Sequence, residues 1–433
     1  MDKVSAWTGN AGGCKNILIA DAAFMQKDIY WKPVTRRHGR SGGGKFMTRR
    51  RDRKQYAVCA CAFFLFFATR ILYSSLFSVF LLDQGYSASQ ASGVSAAALL
   101  ASFFLVPVFG RYGDQHGADR MTAVLLCAAA SAGAVFCLSR TLWLTGLLYT
   151  VMTVSINTLH PVIERRATRT EFSYASVRIW GTVGNAAGTQ AGGILYQYLS
   201  PASVYLAFSV LSVITLLFLL KRKDDDVPSG HSAPSEGGQK WKYPGVFILY
   251  LMVTFCFYAA MDTRTLYLTA YLKATGFSVS GASTVLFAAS LAEIPVVLTG
   301  GRLVDRLACR TQLFAVIALL GIQLTIYTLW SNHAILIAVT LFTNSVVSMF
   351  FIMINLKVVA AIADAGHQIA ALTAAAGIRS LAAVSGQLLG GLILDRYSYF
   401  TLFFVLTMFL ILALILTSTM KFPNRASAAQ LYR

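Results

Sequence analysis

The sequence predicts an all-α polytopic membrane protein, with twelve transmembrane helices arranged as two pseudo-symmetric six-helix bundles. Three observations carry that prediction: a composition too apolar for water, a ladder of apolar segments broken once in the middle, and a loop that recurs at matched places. Of the 433 residues, 56% are apolar and only 13% are charged. Soluble domains run at roughly 45–50% apolar and about 25% charged. A spanning helix takes about 20 mostly apolar residues, so the apolar content suffices for about a dozen spans. The composition excludes an ordinary water-soluble enzyme.

Residues 1–55 read as a basic cytoplasmic tail, with thirteen Lys/Arg against four Asp/Glu. No short apolar region with a small-residue cleavage site follows those charges, so a signal peptide is not expected. Met47-Thr48-Arg49-Arg50-Arg51 also has the look of a start just ahead of the first span, and both readings stand. Six apolar segments follow at 56–82, 91–110, 121–138, 142–163, 174–198 and 202–220, making an N-terminal bundle over 56–220. The longest hydrophilic stretch, 221–243, opens Lys221-Arg222-Lys223-Asp224-Asp225-Asp226 and continues in Pro, Ser and Gly, the composition of a linker. Six more segments at 244–271, 280–300, 312–330, 334–362, 369–394 and 399–420 make a C-terminal bundle over 244–420, followed by a short tail, 421–433.

Charge sets the orientation. With both termini cytoplasmic, the inside segments hold twenty-one Lys/Arg and the outside loops three: Arg140, Lys273 and Arg396. Basic residues concentrate on the cytoplasmic side of short loops, so this ratio fixes the expected topology in the cytoplasmic membrane. The net charge of +19 is accounted for by the tail and these loops, and no nucleic-acid partner is expected. Seven cysteines without a CxxC pair or Cys/His ligand spacing support neither a disulfide framework nor a metal site.

The two halves echo each other. After the second segment comes Gly110-Arg111-Tyr112-Gly113-Asp114-Gln115-His116-Gly117-Ala118-Asp119-Arg120, and after the eighth Gly301-Arg302-Leu303-Val304-Asp305-Arg306-Leu307-Ala308-Cys309-Arg310. Aligning Asp114 with Asp305 gives an offset of 191, which also brings Gly110 to Gly301. Twelve spans, a long middle loop and this duplicated loop resemble the major facilitator superfamily over residues 50–420. The resemblance implies a gate: Gly110, Asp114, Gly117 and Arg120 in the first copy, and Gly301, Asp305, Arg306 and Arg310 in the second. Gln115 stands where the family has a basic residue, and the second copy lacks the later Gly. The opening of the fifth segment, Ala292-Glu293-Ile294-Pro295 and Gly386-Gln387-Leu388-Leu389-Gly390-Gly391 resemble the branch holding phenylpropionate permease, nucleoside–proton symporters and lactose permease. That branch implies symport of a small organic solute with protons.

Ionisable side chains inside spans are expensive and are functional candidates by default. Arg70, Asp262, Arg264, Glu293 and Arg379 fall in the first, seventh, eighth and eleventh segments, on helices that line or support the central cavity in the family resembled. Glu293 is the first candidate for proton coupling and Asp262 the second. A carboxylate's hold on its proton depends on burial and on nearby Arg, so a solute that alters such a pairing couples protonation to movement. Arg70 and Arg379 are candidates for an anionic substrate group, because Arg forks suit carboxylates and phosphates. The competing reading makes them structural partners of Asp262 and Glu293. Arg264 and the hydrogen-bonding side chains Asn157, His160 and Asn344 complete the substrate-binding set. Glu164, Arg178 and Lys357 are expected near the inner ends, snorkelling or joining gate networks. The glycines of the fifth segment read chiefly as a packing face, and secondarily as a partial match to proton–drug antiporters with Thr189 in place of Pro.

No GxxxxGK[ST], HExxH or GxSxG pattern occurs, so neither ATP-driven pumping nor hydrolysis is expected. The expected function is secondary transport by a monomer, with a small-molecule substrate, a proton as coupling ion, the lipid bilayer as surroundings and no cofactor. Proton-coupled efflux of drugs or metabolites is the rival within the class, and a non-transporting receptor the rival outside it.

Overall fold

The computed structural model describes residues 45–168, 172, 174–220, 245–296, 307–330, 332–362 and 368–420. The tail before Lys45, the linker, the segment 421–433, and Gly301, Asp305 and Arg306 lie outside the described residues, as does the side chain of Asp114. The described chain is helical: α1 Lys45–Ser74, α2 Phe77–Asp83, α3 Ala88–His116, α4 Ala118–Phe136, α5 Leu142–Thr168, α6 Tyr174–Tyr198, α7 Ser203–Leu220, α8 Gly245–Ala274, α9 Val279–Leu291, α10 Cys309–Leu329, α11 His333–Ile362, α12 Gln368–Arg396 and α13 Tyr399–Thr419. Together α1 and α2 form the first span. Ten spans are long and apolar enough to cross a membrane among the described residues. The run Ser203–Leu219 is shorter. The remaining span, α6, fifth in chain order, is diluted by five glycines and by Arg178, Asn185 and Gln190.

Each half has its own apolar core. Phe66, Phe77, Phe136, Tyr205 and Phe208 anchor the first, with Phe77 stacked on Tyr149 at 3.6 Å between ring centroids. Phe247, Phe257, Phe351 and Phe403 anchor the second, with Phe257 stacked on Phe351 at 3.8 Å. Large apolar side chains such as Phe103, Phe104 and Phe342 point outward, which suits a lipid surround better than water.

Packing follows the duplication. In the first half α6 lies along α1 and also reaches α9 of the other half; α12 lies along α8 and reaches α3. Glycine permits both close approaches. Gly184 and Gly188 press on the backbone at Phe64 and Ala68, and Gly386 faces Ala259, where an added Cβ would sit 2.6 Å from the carbonyl oxygen. Small residues four apart let spanning helices meet backbone to backbone. Gly184→Leu is therefore expected to lower the stability of the first half by about 1–3 kcal/mol, the usual penalty of overpacking. An unchanged melting temperature in detergent would contradict that packing.

The sequence predicts one unbroken first span, but the helix breaks at Ser75–Leu76. Adjacent serines compete for the backbone, and Ser74 Oγ donates to Arg70 O at 3.2 Å. The interrupted stretch is tied to the other half instead. Thr269 Oγ1 donates to Ser75 O at 3.2 Å, and Ser78 Oγ donates to Leu266 O at 2.5 Å. Freed backbone groups inside a membrane persist only where such partners satisfy them.

Candidate functional site

Ionisable side chains from both halves share one electrostatic neighbourhood. Phe67 on α1 is its hub. The Arg178 guanidinium lies over the Phe67 ring, 4.6 Å from its centroid, and that of Arg70 lies 6.0 Å away. His160 of α5 meets the same ring edge-on at 5.4 Å. Arg178 Nε pairs with Glu164 Oε1 at 3.4 Å, and His160 Nε2 lies 3.7 Å from that oxygen, beyond hydrogen-bond length. Glu164 is 4% exposed, so it does not snorkel to the inner surface. Lys357 is also buried, its ammonium donating to Leu307 O at 2.9 Å. Of the two expected roles, snorkelling gives way to networks: Glu164 and Arg178 pair where α5, α6 and α1 converge, and Lys357 bonds the second copy of the inner loop at Leu307.

The second half supplies Glu293, Asp262 and Arg379. Glu293 follows a turn at Ala292 and is half-buried; the charges acting on it are those of Arg178 and Arg70, from the opposite half. Arg379 is exposed although it sits in mid-helix, and it stacks on Tyr258 at 4.5 Å. Its charge also reaches Arg70 and His160 across the halves, so it faces the space between them rather than lipid. Asp262 feels Arg379 first and Arg264 second.

Arg264 goes elsewhere. It is 1% exposed and donates to Gln323 Oε1 at 2.6 Å and Asn344 Oδ1 at 2.8 Å. Gln323 in turn donates to Tyr327 Oη at 2.8 Å, which bonds Thr340 at 2.7 Å. This chain joins α8, α10 and α11 inside the second half. Two residues along a helix turn about 200°, which separates Asp262 from Arg264. Asn157 donates to Ser102 Oγ at 3.3 Å and ties α5 to α3. Of the duplicated loop, Gly110 is helical, Gly117 begins α4 at φ +90°, and Arg120 and Arg310 are exposed. Arg310 donates to Ser418 O at the end of α13, a cation on helix-terminal carbonyls.

Besides the bonds at Ser75 and Ser78, further hydrogen bonds join the halves at the end holding the turns at Gly85 and Gly276. Those turns repeat at the same offset of 191: Gly85 with Gly276, Ser87 with Ser278, Ser89 with Ser280. Both glycines take positive φ (84° and 100°), and Ser87 and Ser278 cap α3 and α9. Each helix start is then capped from the other half: Ser89 N donates to Asp395 Oδ1 at 3.1 Å, and Ser280 N to Gln197 Oε1 at 2.8 Å. Lys273 bridges to Asp83 at 2.5 and 2.7 Å, and Tyr196 donates to Asp83 at 2.6 Å. Tyr267 donates to Ala88 O at 2.7 Å. Reading the sequence missed this second repeat, although its Gly-aromatic-Ser pattern was there to be found.

The family model for the Major Facilitator Superfamily matches residues 58–355 and 250–430. Maltose permease of Geobacillus stearothermophilus is 24% identical over 255 residues, 56% of this chain. That match spans 63% of the permease, less than two thirds of its length. Among solved structures, the nucleoside transporter NupG superposes with a TM-score of 0.72 at 14% identity, covering 84% of this chain and 98% of that one. A bacterial homologue of the human lysosomal transporter Spinster, inward-facing and occupied, gives a TM-score of 0.67 at 12% identity, covering 87% and 97%. At these identities the structures speak for the fold.

Proposed function

The chain belongs to the Major Facilitator Superfamily, and we propose that it is a secondary active transporter of a small organic solute, working by alternating access and coupled to protons as a symporter. It is a multi-pass membrane protein of twelve spans in two bundles. The observation that carries the reading is the meeting of Glu293 with the fields of Arg178 and Arg70 across the halves. Charged groups that change partners when two rigid bundles rock are the elements such a cycle needs.

In this reading Glu293 carries the proton and Asp262 is its second. Arg70, His160 and Arg379 meet the solute, Asn157 orients its helix, and Arg264 with Asn344 holds the second half together. Asp114 and the duplicated loops form the inner gate. The bundles divide at 221–243, both termini are cytoplasmic, the protein sits in the cytoplasmic membrane, and a monomer suffices. The junction around Gly85 and Gly276 is then the outer seal.

Counterflow in proteoliposomes tests the transport reading: labelled solute must exchange with unlabelled solute inside, and an imposed inward proton gradient must drive accumulation. Exchange with no response to the gradient would remove the proton, and no flux of any solute would remove transport. Neutralising the seal has a smaller expected effect. The Asp83–Lys273 pair is one-third exposed, and such pairs contribute roughly 0.2–1 kcal/mol. Asp83→Asn should shift the chain toward the outward-open form by at most about fivefold, read as the modification rate of a single cysteine lining the outer half. The exchanged pair Asp83→Lys with Lys273→Asp should restore the original rate.

A further inference from the structure

We propose that the solute is an organic anion, held through its carboxylate or phosphate by Arg70 with Arg379 facing it from the other half. The proposal takes the solute itself from the transport reading above and its charge from the site.

Arg70 lies in the middle of the first span and is half-buried. Among the described residues, its guanidinium has no carboxylate within ion-pair distance; its contact is the distant face of Phe67. An arginine at that depth without a direct ion pair is among the most costly groups a membrane protein holds. Glu164 and Glu293 attract it only from a distance, while Arg178 of its own half and Arg379 of the other repel it. Around the space between the halves Arg70, Arg178 and Arg379 are set against Glu164, Asp262 and Glu293, and a proton on Glu293 leaves one positive charge in excess.

A neutral sugar or a nucleoside leaves this imbalance in place, and a cation deepens it. A carboxylate or phosphate between Arg70 and Arg379 removes it and accepts paired N–H donors from both sides. It also changes the sign of the force between the halves. Two arginines that repel across the gap become two arginines drawn to one anion. The bound anion therefore favours closure around itself, which links loading to the rocking motion. The Tyr258 ring backs the Arg379 guanidinium at 4.5 Å, and Phe67 lies 6.0 Å from that of Arg70.

Matched pairs of probes test the charge. The full-length protein in detergent is melted with lactate, benzoate, succinate and glycerol 3-phosphate, and with lactamide, benzamide, succinamide and glycerol. Stabilisation by one or more anions and not by the neutral partner is expected, and carboxylate against phosphate ester separates the two headgroups. Arg70→Gln should weaken the responding anion at least tenfold, and Arg70→Lys should weaken it less. Equal stabilisation by anion and neutral partner, no stabilisation by any anion, or an Arg70→Gln protein that folds and binds unchanged would overturn the proposal. Flux of the responding compound in proteoliposomes separates the two claims. Anion binding without counterflow would refute transport and leave the anion site standing, whereas counterflow of neutral solutes alone would do the reverse.

Discussion

Glu293→Gln is expected to abolish accumulation of solute against its gradient while leaving exchange of labelled for unlabelled solute in place. Glutamine keeps the size and hydrogen-bonding reach of the side chain but can neither lose nor gain a proton. With the neutral side chain fixed, Arg178 and Arg70 lose the partner whose charge changes during the cycle. Steps that need only a loaded protein persist, and steps that need proton release stop. Uptake driven by an imposed pH gradient should fall to the level set by diffusion, with counterflow within a few-fold of the original. Uphill uptake at the original rate would take the proton away from Glu293, and Asp262→Asn would then be the next variant to examine. Loss of both activities in a protein that still melts normally would assign Glu293 to solute binding instead.

The second large effect is expected at the seal. Gly391 on α12 packs on the start of α3, where an added Cβ would sit 2.8 Å from Ala88 O and 2.8 Å from Ser89 Cα, and closer still to Ser92 Oγ. Those are atoms of the other half. Gly391→Leu should wedge the halves apart at the outer end rather than unfold either one. With the wedge at the usual overpacking penalty of about 1–3 kcal/mol, the ratio of outward-open to inward-open chains rises about fivefold or more. Labelling of a cysteine at the outer end should quicken accordingly, and the melting temperature should change little. Gly184→Leu is the natural comparison, because its added side chain meets Phe64 within one half. It should lower stability without quickening that labelling. Equal behaviour of the two variants would show that the glycines do not divide into those within and those between the halves.

The apolar ladder and the duplicated loops were legible because hydrophobic length and side-chain charge act locally. Hydropathy finds a span wherever some 20 residues avoid water, and it found α6 despite its glycines. It could not find the break at Ser75–Leu76. That break depends on Thr269 and Leu266, which are nearly two hundred residues away and become neighbours only in the folded chain. The ionisable residues inside the spans were visible for the same local reason, but their grouping was not. Arg264 and Asp262 stand two apart in sequence and end in different places, one locked to Gln323 and Asn344 and one facing Arg379. Sequence places Glu164 and Arg178 near the inner ends of their spans but does not show that they meet. Their pairing over Phe67 is set by how α5 and α6 cross α1. The repeated outer turns are a different case. Gly85-Tyr86-Ser87 and Gly276-Phe277-Ser278 carry the offset already used for the inner loops, so the information was present and a wider comparison of the halves would have exposed it.

The central claim is that the two halves move against each other about the mid-span charges, with the Gly85 and Gly276 end alternately shut and open. The most direct measurement joins Asp83→Cys to Lys273→Cys with a short bifunctional thiol reagent, in a chain whose seven native cysteines have been replaced, and follows counterflow in proteoliposomes. Counterflow should stop on cross-linking and return when a cleavable linker is cut, while binding of solute from the inner side persists. Undiminished counterflow through the cross-linked protein would contradict the account.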